Sequence, residues 1–406
     1  HNSGLIALGV ALQNDSIINV AINDPECGYH AQMERYVMND GWWGEGSPTY
    51  HYYPLRAMLL SADAVRCRNI NLYDRKLYKM LVAPASGVYA DLYFPAHNDG
   101  WYGESLIAQV SLYEIAYQRY NKDPFFLSVL QQCYRYTDRN FGEALQNNIE
   151  IPQVTSMETW PSVHFKETGY TVLRSGTKTV VMKYGPHGGG HGHPDKLSIS
   201  IHDGEKEIVS DMGTCAYGVP AFTKWYRKTL SHSTLTVDAK DQKESTGKLL
   251  AFKAYKDGGE VSAEAPDVYS GVTMERKLIL KKNKLTDILT ARSDEQHLYD
   301  YVLILTEKPV FSQTGEVIIL NDSPSYNYIK NAIVRKQSSP LSCKIGKAYM
   351  KIEVPDGQEF EVITGEAPGI PPGNGSVLSK YDSPFCYPLI VRVKDKKLRI
   401  KTEWKF

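Results

Sequence analysis

The sequence predicts an α+β, multidomain chain in which a helical array leads into an antiparallel β-sandwich, followed by a small C-terminal β-sheet region. Three observations predict it. Apolar residues recur at three- and four-residue spacing through about the first 140 positions. After about residue 160 they alternate or run β-branched between Gly and Asp turns. Beyond Lys308 short strand patterns continue with no helical pattern among them. The expected domains are residues 1–155, 156–307 and 308–406.

In the first part, Leu5–Leu12, Cys27–Met38, Pro54–Arg68, Glu104–Asn121 and Pro124–Thr137 read as helices. Pro54 falls where a first-turn proline is tolerated. The loops Asn39–Tyr50 and Pro95–Gly103 are rich in Gly, Asn, Asp and Trp. Helices joined by such loops suggest an antiparallel array or toroid rather than a four-helix bundle. In the second part, Tyr170–Arg174, Thr179–Tyr184, Leu197–Ile201 and Glu207–Val209 read as strands, and the trend runs on to Leu389–Val393. Many short strands without intervening helices indicate a sandwich.

Composition narrows the function classes. Lys+Arg and Asp+Glu both number 46 among 406 residues, so global charge gives no ground for nucleic-acid binding. No run approaches 18 apolar residues, so no transmembrane helix is expected. The six cysteines, at 27, 67, 133, 215, 343 and 386, contain no C-x-x-C pair and argue against a cysteine zinc knuckle. One or two disulfides stay open. The 28 tyrosines suit sugar rings, and they suit ordinary sheet surfaces too. Helical pattern starts almost at His1, which leads us to expect a segment upstream.

The sharpest motif is Gly188-Gly189-Gly190-His191-Gly192-His193-Pro194-Asp195. Glycines let the two imidazoles approach one site without crowding. The strand Leu197–Ile201, the turn Asp203-Gly204 and the return Ile208-Val209 form a hairpin that brings Asp211 back toward His193. His232 precedes the strand Leu235–Val237. His193, Asp211 and His232 are suitable zinc ligands with a fourth position left over. Their spacing alone is no zinc signature, and the commoner fate of such residues is hydrogen bonding in loops and turns. A second feature, Asp40 to Tyr53, is a polar aromatic loop entering a helix; Trp42 and Trp43 fit packing there as well as substrate contact. Lys224, Arg227 and Lys228 form a basic run suited to an anionic chain or to a solvated surface.

Taken together these motifs resemble the heparinase II/III-like polysaccharide lyases, the superfamily that includes oligo-alginate lyases. The resemblance spans at least Asn2 to Gln242. It rests on Glu45-Gly46-Ser47 with Tyr50-His51-x-Tyr53, His191-Gly192-His193-x-Asp195, Asp211-x-Gly213, Tyr226-Arg227 with His232-Ser233-Thr234, and Asp241-Gln242. It implies an incomplete α/α toroid, its N-terminal part missing, followed by a β-sandwich, with the active groove between them. It implies zinc, in a structural role, on His193, Asp211 and His232. It also implies catalysis by Tyr50, His191 and His1, with Asn2, Glu45, Trp42, Tyr53 and Arg227 toward substrate. Ser233 stands where the family usually has Asn.

The implied reaction is β-elimination on a uronic-acid-containing polysaccharide, a glycosaminoglycan such as heparin or heparan sulfate, or alginate. The C5 proton beside a carboxylate is hardly acidic, so the site must neutralise that carboxylate and the enolate that forms. Tyr50 is assigned acid/base work, His1 the base or neutraliser, and His191 the neutraliser or second base. The rival readings are a glycoside hydrolase using Glu45 and Asp99 and a non-catalytic glycan-binding protein of a polysaccharide-uptake system. The expected setting is periplasmic or secreted in a bacterium. The expected partner is an acidic polysaccharide or oligosaccharide, with no nucleic acid and no membrane span; homodimer formation is left open.

Overall fold

The computed structural model describes residues 1–137, 160–355, 357–370 and 384–406. The expected boundary at 155/156 lies outside them. The chain divides into two compact units. The described residues of the first are 1–88, 92–94 and 105–137; those of the second are 89–91, 95–104 and everything from 160 onward.

The first unit is helical: α1 (Asn2–Ala11), α2 (Asp15–Asn23), α3 (Tyr29–Tyr36), α4 (Pro48–Ala64), α5 (Arg75–Ala85), α6 (Val110–Arg119) and α7 (Pro124–Cys133). Side-chain caps start three of them by taking orphan backbone N–H groups. Asn14 accepts from Ser16 and Ile17, Asp74 from Leu77, and Asp123 from Phe125. The core is built by Leu55, Leu59, Leu77, Leu81, Tyr113, Phe126 and Leu130, all buried. Burying a Leu or Phe contributes roughly 1.5–3 kcal/mol.

One expectation is corrected here. Helix α4 starts at Pro48 and not at Pro54, because Ser47-Pro48 supplies the N-cap and first-turn proline. Pro54 sits inside the helix and has no N–H to give the Tyr50 carbonyl one turn back.

The second unit is an antiparallel β structure. Tyr170–Ser175, Lys178–Lys183, Ser198–His202 and Glu207–Val209 pair in sequence order. The long strands Lys284–Leu305 and Phe385–Lys405 pair from Lys284↔Lys405 to Leu305↔Tyr387, with a register shift between Arg292 and His297. The strand Leu235–Val237 lies on the first of these, Tyr301 facing Leu235. Strands beyond residue 308 join the same ladder network through Phe385–Lys405. One core cluster gathers Leu197, Ile199, Leu235, Leu278, Leu303, Val391 and their neighbours. A second gathers Met212, Trp225, Val302, Ile304, Tyr326 and Ile390.

Buried Arg276 pairs with Asp287 (2.6 and 2.9 Å) and donates to the carbonyls of Leu197 (2.8 Å) and Ser233 (2.6 Å). It thereby fixes the backbone next to His232. All six cysteines are free, Cys27 and Cys67 exposed and the rest buried. Among the described residues no helix is long and apolar enough to cross a membrane.

Candidate metal centre

Four loop segments of the second unit build the site. The first, His187 to His193, turns on glycines. Gly188 and Gly189 have φ of 91° and 63°, and a Cβ on Gly192 would lie 1.8 Å from the His187 carbonyl oxygen. The second follows the strand Glu207–Val209, where Asp211 Oδ1 accepts the Gly213 N–H at 3.0 Å. Gly213 has φ 62°, and its Cβ would fall 2.2 Å from the Gly100 oxygen, so no other residue fits this turn. The third is the turn Thr229–Ser231 leading to His232. Ser233 anchors its far side, accepting from Ile199 N through its carbonyl (3.2 Å) and from Ile304 N through its hydroxyl (2.9 Å).

The fourth segment, His97 to Gly100, is laced to the others. Asp99 N donates to the His191 carbonyl (3.2 Å), and Thr214 N to the Gly100 carbonyl (3.2 Å). Asn98, in the left-handed region at φ 57°, accepts from His193 N (3.3 Å) and from Lys183 Nζ. Lys183 in turn holds both carboxylate oxygens of Asp195.

The structure brings His232 beside Asp211 and beside His193. His232 Nδ1 lies 3.3 Å from Asp211 Oδ2, and the His193 and His232 rings are 5.1 Å apart. Donor atoms of Asp195, Asp211 and His232 also lie within 4.8 Å of one another. The two groupings disagree on Asp195 versus His193. We favour His193, because both oxygens of Asp195 already carry the Lys183 ammonium.

The orphan atoms say the same. His193 Nδ1 and His232 Nε2 are buried with no hydrogen-bond partner, and His232 Nδ1 and Asp211 Oδ2 face only each other, at 3.3 Å. A buried unsatisfied polar atom costs about 1–3 kcal/mol. Two imidazoles and a carboxylate form a donor set that fits zinc.

Electrostatics sort the protonation states. Burial pushes the His193 imidazole down to about 4, and His97 likewise to about 4. Burial also presses on His232, but the Asp211 carboxylate more than offsets it and holds the imidazole above its ordinary value. Burial raises Asp211 less than His232 lowers it, so its carboxyl stays below the usual range. Asp99 is likewise held low, desolvation being outweighed by the hydrogen bonds from His193 and His191.

His191 stands apart from this buried set. It is part-exposed, its Nδ1 2.9 Å from Asp99 Oδ2 and 3.4 Å from the Tyr217 hydroxyl. Arg227, expected toward substrate, donates to the Gly192 carbonyl at 2.8 Å and so braces the peptide between the two histidines. Asp99, the candidate hydrolytic carboxylate, spends both oxygens on imidazoles, which does not suit it to protonate a glycosidic oxygen.

The remaining candidates belong to the first unit. His1 is exposed at the start of α1, and Asn2 donates to the Cys27 carbonyl. Tyr50 is half-buried in the first turn of α4, and Tyr53 is 82% exposed. Glu45 accepts from Trp43 Nε1 at 3.2 Å. Trp42, expected among the substrate contacts, is 4% exposed and packs edge-on against His51, so packing is its role in this structure. His51 accepts from Trp43 N (3.0 Å) and donates to the Met80 carbonyl (2.8 Å), pinning the aromatic loop to the helices.

Sequence reasoning gave Asn98, Lys183 and Tyr217 no place and named Asp99 only in the rival hydrolase reading. The only advance signal was the run His97-Asn98-Asp99-Gly100, a polar cluster in a loop already marked by composition.

Comparison with known proteins bears on this arrangement. Over its full length the fold matches a heparan sulfate lyase from Pedobacter heparinus, with TM-score 0.73, 16% identity and 59% of that chain covered. An alginate lyase from Stenotrophomonas maltophilia is 25% identical over 341 residues, 73% of this chain and 45% of the relative. An exo-oligoalginate lyase from Saccharophagus degradans is 24% identical over 358 residues, 75% of this chain and 48% of the relative. The chain thus spans about half the length of these curated relatives. Residues 157–301 match the family described as heparinase II/III-like, C-terminal.

Proposed function

We propose that this chain carries out β-elimination on a uronic-acid-containing polysaccharide, either a glycosaminoglycan or alginate, in a bacterial periplasm or outside the cell. The observation that carries the proposal is the pairing of part-exposed His191 with a buried donor set two residues on, in a chain whose relatives are lyases. In this reading the helices of the first unit are part of an incomplete α/α toroid.

His193, Asp211 and His232 would hold zinc, which supplies positive charge that fixes the loop bearing His191. Tyr50 performs the proton transfer. His191 and His1 neutralise the uronate carboxylate by donating hydrogen bonds as charge builds on it. The C5–H bond breaks to a base, its electron pair forms the C4–C5 double bond, and the C4–O bond breaks with protonation of the leaving oxygen.

The test is a panel of heparan sulfate, chondroitin, hyaluronan, alginate and their oligosaccharides, followed by ultraviolet absorbance of the new double bond. Absorbance growing on at least one polymer is expected. New reducing ends without absorbance would mean hydrolysis, and binding with no product at all would mean a glycan-binding protein.

A further inference from the structure

One carboxylate serves two histidines. Asp99 Oδ2 faces His191 Nδ1 at 2.9 Å, and Asp99 Oδ1 faces His193 Nε2 at 3.0 Å. The carboxylate is 1% exposed, so no water layer shares it. An ionised carboxylate only accepts hydrogen bonds, so each ring nitrogen facing it must carry the proton. We infer that Asp99 is a positioning residue that sets the tautomers of His191 and His193 together, with the proton on His191 Nδ1 and on His193 Nε2.

The two consequences fall on different tasks. His193 with its proton on Nε2 has a lone pair on Nδ1, the atom left buried without a partner beside His232. That is the form a cation ligand requires. His191 with its proton on Nδ1 presents Nε2 from a ring whose orientation is fixed at its rear, as a carboxylate fixes a catalytic imidazole. The backbone bond from Asp99 N to the His191 carbonyl holds the two segments in register, so the carboxylate cannot serve one ring and abandon the other. The Tyr217 hydroxyl, 3.4 Å from Asp99 Oδ2, is placed to donate a further bond to the same oxygen.

The functional half of this inference rests on the lyase reading above; the tautomer half does not. Asp99→Asn tests both. An amide offers one acceptor and one donor edge, so at most one histidine keeps its bond and the other must turn a lone pair toward the NH2.

The first measurement is ring 15N NMR of metal-free protein, assigned with His191→Gln and His193→Gln. Wild type should show His191 protonated on Nδ1 and His193 on Nε2, and D99N should reverse or scramble one of them. D99A, which holds neither ring, should average both. Opposite tautomers in wild type, or tautomers unchanged in both variants, would overturn the inference. If D99N fails to fold, the wild-type assignment and D99A still decide.

The second measurement is zinc affinity and kinetics. D99N should weaken zinc binding and lower kcat by about 10- to 100-fold each, the usual scale for a group behind a ligand, with KM within about threefold. A raised KM at unchanged kcat would make Asp99 a substrate-binding group and defeat the positioning role. Wild-type protein inactive on every uronate polymer would sink the lyase reading and leave the tautomer result standing.

Discussion

Lys183 Nζ lies 2.9 and 2.6 Å from the two carboxylate oxygens of Asp195, with both side chains buried. The pair sits directly behind the His191-Gly192-His193 loop and ties it, through Asn98, to the segment that carries Asp99. It keeps Asp195 neutralised, so that Asp211 is the carboxylate left open to a cation.

Breaking that pair leaves one buried charge unmatched. Lys183→Met should lower unfolding stability by about 3–5 kcal/mol, whereas the double change Lys183→Met with Asp195→Leu should recover a large part of it. Urea denaturation of the three proteins checks this. A single variant as stable as wild type would remove the pair from the frame of the site.

Neighbouring histidines should behave differently. His193→Ala is expected to lose bound zinc, measured by elemental analysis after dialysis, and to melt lower than wild type, since metal binding energy is partly folding energy. His191→Ala should keep metal and melting temperature and lose turnover. Equal behaviour of the two variants would dissolve the division of labour drawn here.

Tyr50→Phe deletes one hydroxyl from a half-buried ring in the first turn of α4. Folding and zinc content should be unchanged, and turnover on the preferred polymer should fall by at least about a hundredfold, the lower end of general acid–base catalysis. Near-normal initial rates would place the proton transfer elsewhere.

His51 gives the first unit a pH limit. Burial pushes its imidazole from 6.5 down to about 4, so the folded state prefers the neutral ring. Its contribution is complete above pH 6.5 and is lost as pH falls toward 4, by on the order of 3 kcal/mol at the low end. His51→Gln, which can still accept from Trp43 and donate to Met80, should flatten this part of the stability profile. Denaturant midpoints at pH 7 and 4.5 compare the two proteins, and parallel slopes would count against the assignment.

Much of this architecture could be read from the sequence where the governing forces are local. The hairpin Ser198–His202 with Glu207–Val209 follows from alternation and an Asp-Gly turn. Helix α5 went unread although Asp74 caps it at Leu77 and Leu77, Met80, Leu81 and Pro84 form its buried face. The start of α4 was misplaced because Pro54 was given the meaning that belongs to Pro48. The Asp99 bridge was not legible at all. Its partners lie about ninety positions away, and no spacing rule links a loop carboxylate to histidines that a tertiary fold delivers.

The long ladder of Lys284–Leu305 against Phe385–Lys405 sets an order of events. It joins positions roughly a hundred residues apart, so a large loop must close before the contacts repay the lost chain entropy, and such sheets fold slowly. The strand after His232 pairs onto Lys284–Leu305, which makes the histidine's final placement depend on that late closure. The donor cluster should therefore mature near the end of folding. A bound cation should then act as a latch, slowing escape from the native state while leaving the refolding rate nearly untouched.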